Sequence, residues 1–308
     1  MEPNETLKDC INDNIPGFKH IELEDKEVFN HYFSKYPLPM SEYTFSNLYM
    51  WRQSYDFIWN EYKDHLVLIS LEKDNMIDLF PPAGEDPISI IKGLKNVCDK
   101  ESLTLRIIRV PESFKEKLEK SDMSLKIEDD RKNWDYVYLV KDLVELSGSD
   151  YQKIRQKLNK YQKHYDWHYE TIEKSNLDEC MELHEEWCEE KNCEEIKNLK
   201  QEKIGVTQIF KNWDLLDLTG GLLRVDGKII AFALYEDLLD DTLVCHVEKA
   251  NTDYEGAYNA INQISLNNLG NGYKYVNREQ DLGIRGLRIA KKRYHPDHYV
   301  KKYIAVFE

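Results

Sequence analysis

The sequence predicts an α/β (α+β) protein of two tandem lobes, each a mixed, mostly antiparallel sheet flanked by helices. Three observations point there. Apolar spacings of helical and of strand type alternate along all 308 residues. Their order in residues 1–145 returns, in outline, in residues 146–308. Finally, residues 222–225 and 229–235 are joined by Asp226-Gly227, the pair that a tight primed hairpin turn prefers.

In the first lobe a helix is expected over 26–36, ended by Pro37-Leu38-Pro39. A second is expected over 43–52, where Phe45, Leu48 and Trp51 fall at helical spacing. Strand patterns follow at 56–59, 65–71 and 76–80, the last stopped by Pro81-Pro82. A helix near 87–98 precedes a strand at 103–110, and Pro111 suits the first turn of the helix after it. Strands at 125–128 and 136–140 close the lobe. Leu146-Ser147-Gly148-Ser149-Asp150 reads as a turn leading to a helix cap, which sets the boundary between lobes 1–145 and 146–308.

The second lobe opens with a helix at 153–162, a strand at 168–172 and a helix at 177–188. Another helix at 202–213 leads through 215–218 to the hairpin. A strand at 243–250, a helix at 256–269, a strand at 273–277, a helix at 286–294 stopped before Pro296, and a strand at 303–307 complete it.

Composition narrows the function. No apolar run approaches the ~18 residues needed to cross a bilayer. The start, Met1-Glu2-Pro3-Asn4-Glu5, lacks the basic and then apolar order of a leader, so a cytoplasmic location is expected and any lipid would be met at a surface. The six cysteines form no CxxC pair and read as buried thiols. His295 and His298 have no third ligand at a recognisable spacing, so no metal is expected. Phosphate-loop, nucleophile-elbow, zincin and dinucleotide fingerprints are missing.

A net charge of −15 argues against a general nucleic-acid binder. The charge is uneven, however. Residues 178–195 hold nine acids and one lysine, while 151–164 hold five Lys or Arg and no acid. Residues 285–302 hold seven Lys or Arg against Asp297 alone. Such focused basic stretches suit one anionic ligand; solvated helix faces are the plainer alternative.

The order of elements in the second lobe resembles the GCN5-related acyltransferase (GNAT) fold. A closer resemblance rests on Asn277-Arg278-Glu279-Gln280-Asp281-Leu282-Gly283, then Gly286-Leu287-Arg288-Ile289-Ala290-Lys291-Lys292-Arg293-Tyr294-His295-Pro296, and Lys301-Lys302-Tyr303. These segments resemble the end of the phosphatidylglycerol lysyltransferase catalytic domain. Phe45-Ser46-Asn47-Leu48-Tyr49-Met50-Trp51-Arg52 and Gly256-Ala257-Tyr258-Asn259-Ala260-Ile261-Asn262 extend the likeness to both lobes. The resemblance implies two tandem GNAT-like lobes, related to the Fem-type transferases, with charged tRNA as donor and a small-molecule, peptide or lipid-headgroup acceptor. Oligomeric state is left open.

Acyl transfer needs a bound carbonyl, a deprotonated acceptor and donors for the oxyanion. In this fold the donor lies beside the strand at 243–250. Strict alternation there would put His246 and Glu248 on one face, either able to accept a proton. Glu279 and Asp281 are rival bases or amine-binding carboxylates. Asn277, Arg278, Arg285, Arg288, Lys291, Lys292 and Tyr303 are the substrate-binding candidates, with Arg285, Arg288 and Lys292 on one helix side and Lys153, Arg155, Lys157 and Lys160 a possible extension for tRNA phosphates. Acetyl- or acyl-coenzyme A is the alternative donor. Against it, Thr252-Asp253-Tyr254-Glu255-Gly256-Ala257 has one glycine and two acids where a diphosphate would sit, and Asp253 reads as a helix N-cap. A non-catalytic binding module on the same fold is the remaining reading.

Overall fold

A computed structural model describes residues 3–71 and 75–308, so Met1 and Glu2, where the leader reading begins, lie outside the described residues. The chain forms two compact units, residues 1–134 with 300–308, and residues 135–299.

The first unit opens with α1 (Pro3–Asn14), which was not expected from the sequence, and β1 (Lys19–His20). Leu7, Ile11 and Ile15 recur every fourth residue and pack into the core, so tertiary burial holds a helix whose remaining face is polar. Then come α2 (Lys26–Lys35), α3 (Phe45–Trp51), β2 (Phe57–Glu61), β3 (Leu66–Ser70), β4 (Met76–Leu79), α4 (Pro87–Lys100), β5 (Thr104–Pro111), α5 (Glu112–Glu119) and β6 (Leu125–Asp129). Helix starts follow their caps: Thr44 accepts from the Asn47 amide, and Asp86 accepts from the Ser89 amide with Pro87 in the first turn.

The second unit contains β7 (Asp135–Leu139), α6 (Val140–Glu145), α7 (Gln152–His164), β8 (Trp167–Thr171), α8 (Leu177–Glu190) and α9 (Lys197–Lys211). It continues with β9 (Leu218–Val225), β10 (Lys228–Leu239), β11 (Thr242–Ala250), α10 (Ala257–Leu269), β12 (Tyr275–Asn277), α11 (Arg285–Lys292) and β13 (His298–Val300). The β9–β10 turn has Asp226 at φ 49° and Gly227 at φ 82°, the two positive dihedrals the hairpin requires.

The last strand, β14 (Lys302–Phe307), returns to the first unit, whose sheet runs β1-β2-β3-β4-β5-β14-β6. The second sheet runs β13-β7-β12-β11-β10-β9-β8. The two orders correspond position by position. Each has a parallel pair at its centre, β4–β5 and β11–β12, with antiparallel neighbours on both sides. Each lobe is thus a GNAT-like mixed sheet flanked by helices. The lobes differ from the expected 1–145 and 146–308, because β7 completes the second sheet and the C-terminal strand completes the first. Local periodicity identifies a strand but carries no record of its sheet.

The second core is unusually aromatic, with Tyr136, Tyr138, Tyr161 and Tyr235 fully buried beside Leu223, Ile261 and Val276. Cys98, Cys180, Cys188, Cys193 and Cys245 are buried free thiols, while Cys10 is half-buried. Among the described residues no helix is long and apolar enough to cross a membrane.

Candidate active site

The site of interest in the second unit arises where two strands part. β11 and β12 pair in parallel only at Thr242–Tyr275, Leu243–Val276 and Val244–Asn277. Beyond Asn277 the chain stays with β7, since the Arg278 amide donates to Tyr136 O and the Tyr136 amide to Glu279 O. β11 instead continues with β10 to Ala250. The two strands therefore part beyond Val244 and Asn277, and side chains bridge the gap.

Strict alternation along β11 fails at one position. Leu234 pairs with Val247 and Tyr235 with Cys245, leaving His246 as an extra residue in a bulge. The expected sharing of one face by His246 and Glu248 is therefore corrected. Glu248 stands opposite Ala233 and reaches Arg278, whose Nη2 lies 3.0 Å from both carboxylate oxygens. His246 turns to a separate pair of acids: Nε2 lies 3.0 Å from Glu236 Oε2 and Nδ1 2.8 Å from Glu279 Oε1.

This arrangement sets the charge state of His246. Burial alone would lower its pKa, but hydrogen bonds to Glu236 and Glu279 outweigh that and raise it to about 9. Held between two carboxylates, the imidazole is favoured in its charged form. A raised folded pKa stabilises the protein fully below the unfolded value near 6.5, and the stabilisation is lost as pH rises through about 9. Over that window wild type should lose about 2–3 kcal/mol more than His246→Gln. Chemical denaturation of both proteins at several pH values checks this. Equal pH slopes would show that His246 is neutral when folded. Lys291 acts in the opposite sense above pH 8, so the difference between the two curves is the readout.

Lys291, on α11, turns its ammonium inward to the Arg278 carbonyl oxygen. Burial and the adjacent Arg278 guanidinium lower its pKa to about 8. Arg278 itself is held charged: burial opposes its charge, but the Glu248 carboxylate outweighs this and raises its pKa. The guanidinium packs 5.1 Å from the Tyr294 ring centroid and 5.7 Å from that of Tyr138. Thus Arg278 links Glu248 to Lys291, and Glu279, the next residue, carries His246.

Asp281 does not join them as a base. It is fully buried and accepts from Tyr136 Oη at 2.6 Å, Arg288 Nε at 2.7 Å, Arg288 Nη2 at 2.8 Å and the Gly283 amide at 2.8 Å. So saturated, it fastens the loop to α11, and Arg288 is committed to it. Asn277 is also internal: its Nδ2 donates to Asp135, and its Oδ1 accepts from the Glu279 amide, holding Glu279 at φ 56°. Arg285 and Lys292 are exposed on α11. Tyr303 belongs to β14 of the first unit, where its hydroxyl donates to Glu112.

Two of the basic residues of α7 are engaged. Arg155 donates to the carbonyls of Leu146 and Gly148, and Lys160 pairs with Glu255. The start of α7 does meet the end of α11, through Tyr151 Oη and Tyr294 O at 3.1 Å. At the start of α10 the N-cap is Gly256, without a side-chain cap, and not Asp253 as expected. A Cβ on Gly256 would lie 2.8 Å from the Lys157 carbonyl, so α7 closes over this helix end. Glu255 and that close packing leave a coenzyme diphosphate poorly served there. Among the described residues no group of three or more His, Cys, Asp or Glu could hold a metal ion.

Sequence reasoning missed Glu236, which lies one residue past the expected strand end, and Asn262, whose Nδ2 donates to Glu248 at 3.2 Å. Glu236 carried no local signal, because a bulge ten residues away determines its partner.

Comparison with known proteins agrees with this fold. A protein of unknown function from Bacteroides thetaiotaomicron VPI-5482 is 33% identical, with TM-score 0.88 over 94% of this chain and 99% of its own. L-PGS from Bacillus licheniformis has the same fold at 13% identity, TM-score 0.65 and 92% of each chain. FemX follows at 9% identity, TM-score 0.60, covering 95% of this chain and 97% of its own. No curated protein matches the chain. The profile described as phosphatidylglycerol lysyltransferase, C-terminal, matches residues 33–306, nearly the whole sequence, and the chain belongs to that family.

Proposed function

We propose that this protein is an aminoacyltransferase that moves an aminoacyl group from charged tRNA to an amine or hydroxyl acceptor at the gap between β11 and β12. The observation that carries the reading is the convergence there of an inward lysine, a carboxylate and a buried arginine, in a chain of this family.

The chemistry divides among these groups. The acceptor's N–H or O–H proton passes to Glu279, which the His246 imidazolium orients. The acceptor atom then attacks the ester carbonyl, and Lys291, as ammonium, stabilises the tetrahedral oxyanion. When the carbon–oxygen bond to the terminal ribose breaks, Lys291 donates its proton to the leaving oxygen. A lysine pKa of about 8 suits this exchange near neutral pH. Arg285 and Lys292, exposed on α11, supply phosphate contacts whose strength should fall with salt.

Purified protein would be mixed with tRNA carrying labelled amino acids and with lysate fractions of lipid, peptide and protein. Label is expected to move into one fraction. Glu279→Gln and Lys291→Met should each reduce transfer by about 100-fold or more, with melting temperatures showing both folded. If label stays on tRNA in every fraction, the assignment fails. If both folded variants transfer at the wild-type rate, the roles given to the two residues fail.

A further inference from the structure

Beside the gap, on the face of the sheet covered by α10, four buried polar atoms lack a hydrogen-bond partner among the described residues. They are Arg278 Nη1, Asn262 Oδ1, Tyr235 Oη and Ser265 Oγ. The Tyr169 hydroxyl, near Thr171, lies beside them. Tyr235 and Ser265 are fully buried, and Asn262 is 1% exposed. Buried polar groups are nearly always paired, so four orphans near one another are unusual.

Strand register places them together. Glu248, Ala233 and Gly221 form one row across β11, β10 and β9. Arg278 and Asn262 both bind Glu248 at the gap end of this row. At the far end, a Cβ on Gly221 would lie 2.7 Å from Tyr169 Oη and 2.8 Å from Ser265 Oγ, so both hydroxyls close over that glycine. Tyr235 occupies the adjacent row, opposite Cys245 and Thr219. The row is floored by the two smallest side-chain types and lined with polar atoms.

The donor and acceptor inventory is specific. Asn262 gives an N–H to a carboxylate that has none to return, which fixes its orphan atom as the carbonyl acceptor. Arg278 Nη1 can only donate, and the three hydroxyls can do either. Glu248, the carboxylate of this row, already faces the Arg278 guanidinium. A lysyl or arginyl side chain here would bury a cation without an uncommitted counter-charge, which is costly.

Building on the aminoacyl-transfer reading, we propose that this polar row receives the side chain of the transferred residue and selects a neutral one bearing a hydroxyl or carboxamide over a cationic one. Asn262, Ser265 and Tyr235 are the specificity-determining residues. Asn262 accepts the side chain's N–H or O–H, and Arg278 Nη1 donates to its oxygen.

The test is calorimetric binding of serinamide, asparaginamide and lysinamide to the full chain. Serinamide or asparaginamide should bind at least about tenfold more tightly than lysinamide, because a site built to hydrogen-bond rejects groups that leave it unpaired. Ser265→Val and Asn262→Leu, shown folded by thermal melting, should erase that preference. Lysinamide binding as tightly as the others, or a preference unchanged in both variants, would overturn the proposal. Binding of none of the amides would also overturn it, leaving the orphan atoms as hydrated packing. Selective binding without transfer from charged tRNA would instead leave this proposal standing and defeat the catalytic reading.

Discussion

Arg278→Met is expected to destabilise the second unit by about 3–5 kcal/mol and to abolish transfer. The residue pairs with Glu248 through one nitrogen 3.0 Å from both carboxylate oxygens, and their side chains are only 12% and 14% exposed. Removing one member of such a pair leaves the other charge desolvated, and that residual penalty dominates the loss. Glu248→Gln in the Arg278→Met background should recover much of the stability, since it removes the stranded charge while keeping an amide near Asn262. Arg278→Lys should not rescue. An ammonium keeps the charge but loses the planar contact with Tyr294 and Tyr138. Urea titration of wild type, both singles and the double variant closes the cycle. A single-variant loss below about 1 kcal/mol would mean that Glu248 is well solvated, and the charge-balanced row would then be wrong.

The sequence carried the fold because each lobe is assembled from locally consistent signals. Asp226-Gly227 fixes its hairpin through backbone dihedrals alone, and Pro87, Pro111 and Pro296 mark helix limits through covalent geometry. Within the segment 277–291, Arg278 binds Glu248, Glu279 binds His246, and Lys291 donates to the Arg278 carbonyl. Roles within that segment were less legible. Asp281 and Glu279 lie two residues apart with the same functional group, yet one is saturated by four donors and the other reaches a histidine across the gap. Burial separates them, and burial is a property of the fold. Likewise His246 and Glu248 share a parity in sequence that one bulge destroys. Arg288 looked available for phosphate because helical spacing reports direction along α11 but not what the preceding loop offers.

The largest stability effect expected in the first unit comes from Lys302→Met. Lys302 is fully buried on β14, with its ammonium 2.5 Å from Glu42 Oε2. Burial alone would raise the Glu42 pKa, but Lys302 and Arg109 together hold it below the usual carboxylate range. Arg109 reaches the same carboxylate at 2.9 Å and Asp130 at 3.2 Å. It does so from an irregularity in which Tyr303 pairs with Val110 but Ala305 pairs with Ile107, with Arg109 at φ 54°. Losing the lysine should cost about 3–5 kcal/mol, because Glu42 keeps one cation where two offset its burial. The double variant Lys302→Met with Glu42→Leu should not be worse than the single, even though it strands Arg109 on Asp130 alone. If it is worse, Glu42 contributes through Arg109 and not through Lys302, and the order of the two cations in the network reverses. Because β14 is the strand that the C-terminus adds to this sheet, the same substitution should also loosen β14 against β5 and β6. Amide hydrogen exchange at residues 303–307 would then rise before exchange in β2 and β3 does. Uniform exchange across the sheet would show instead that the first unit opens in a single step.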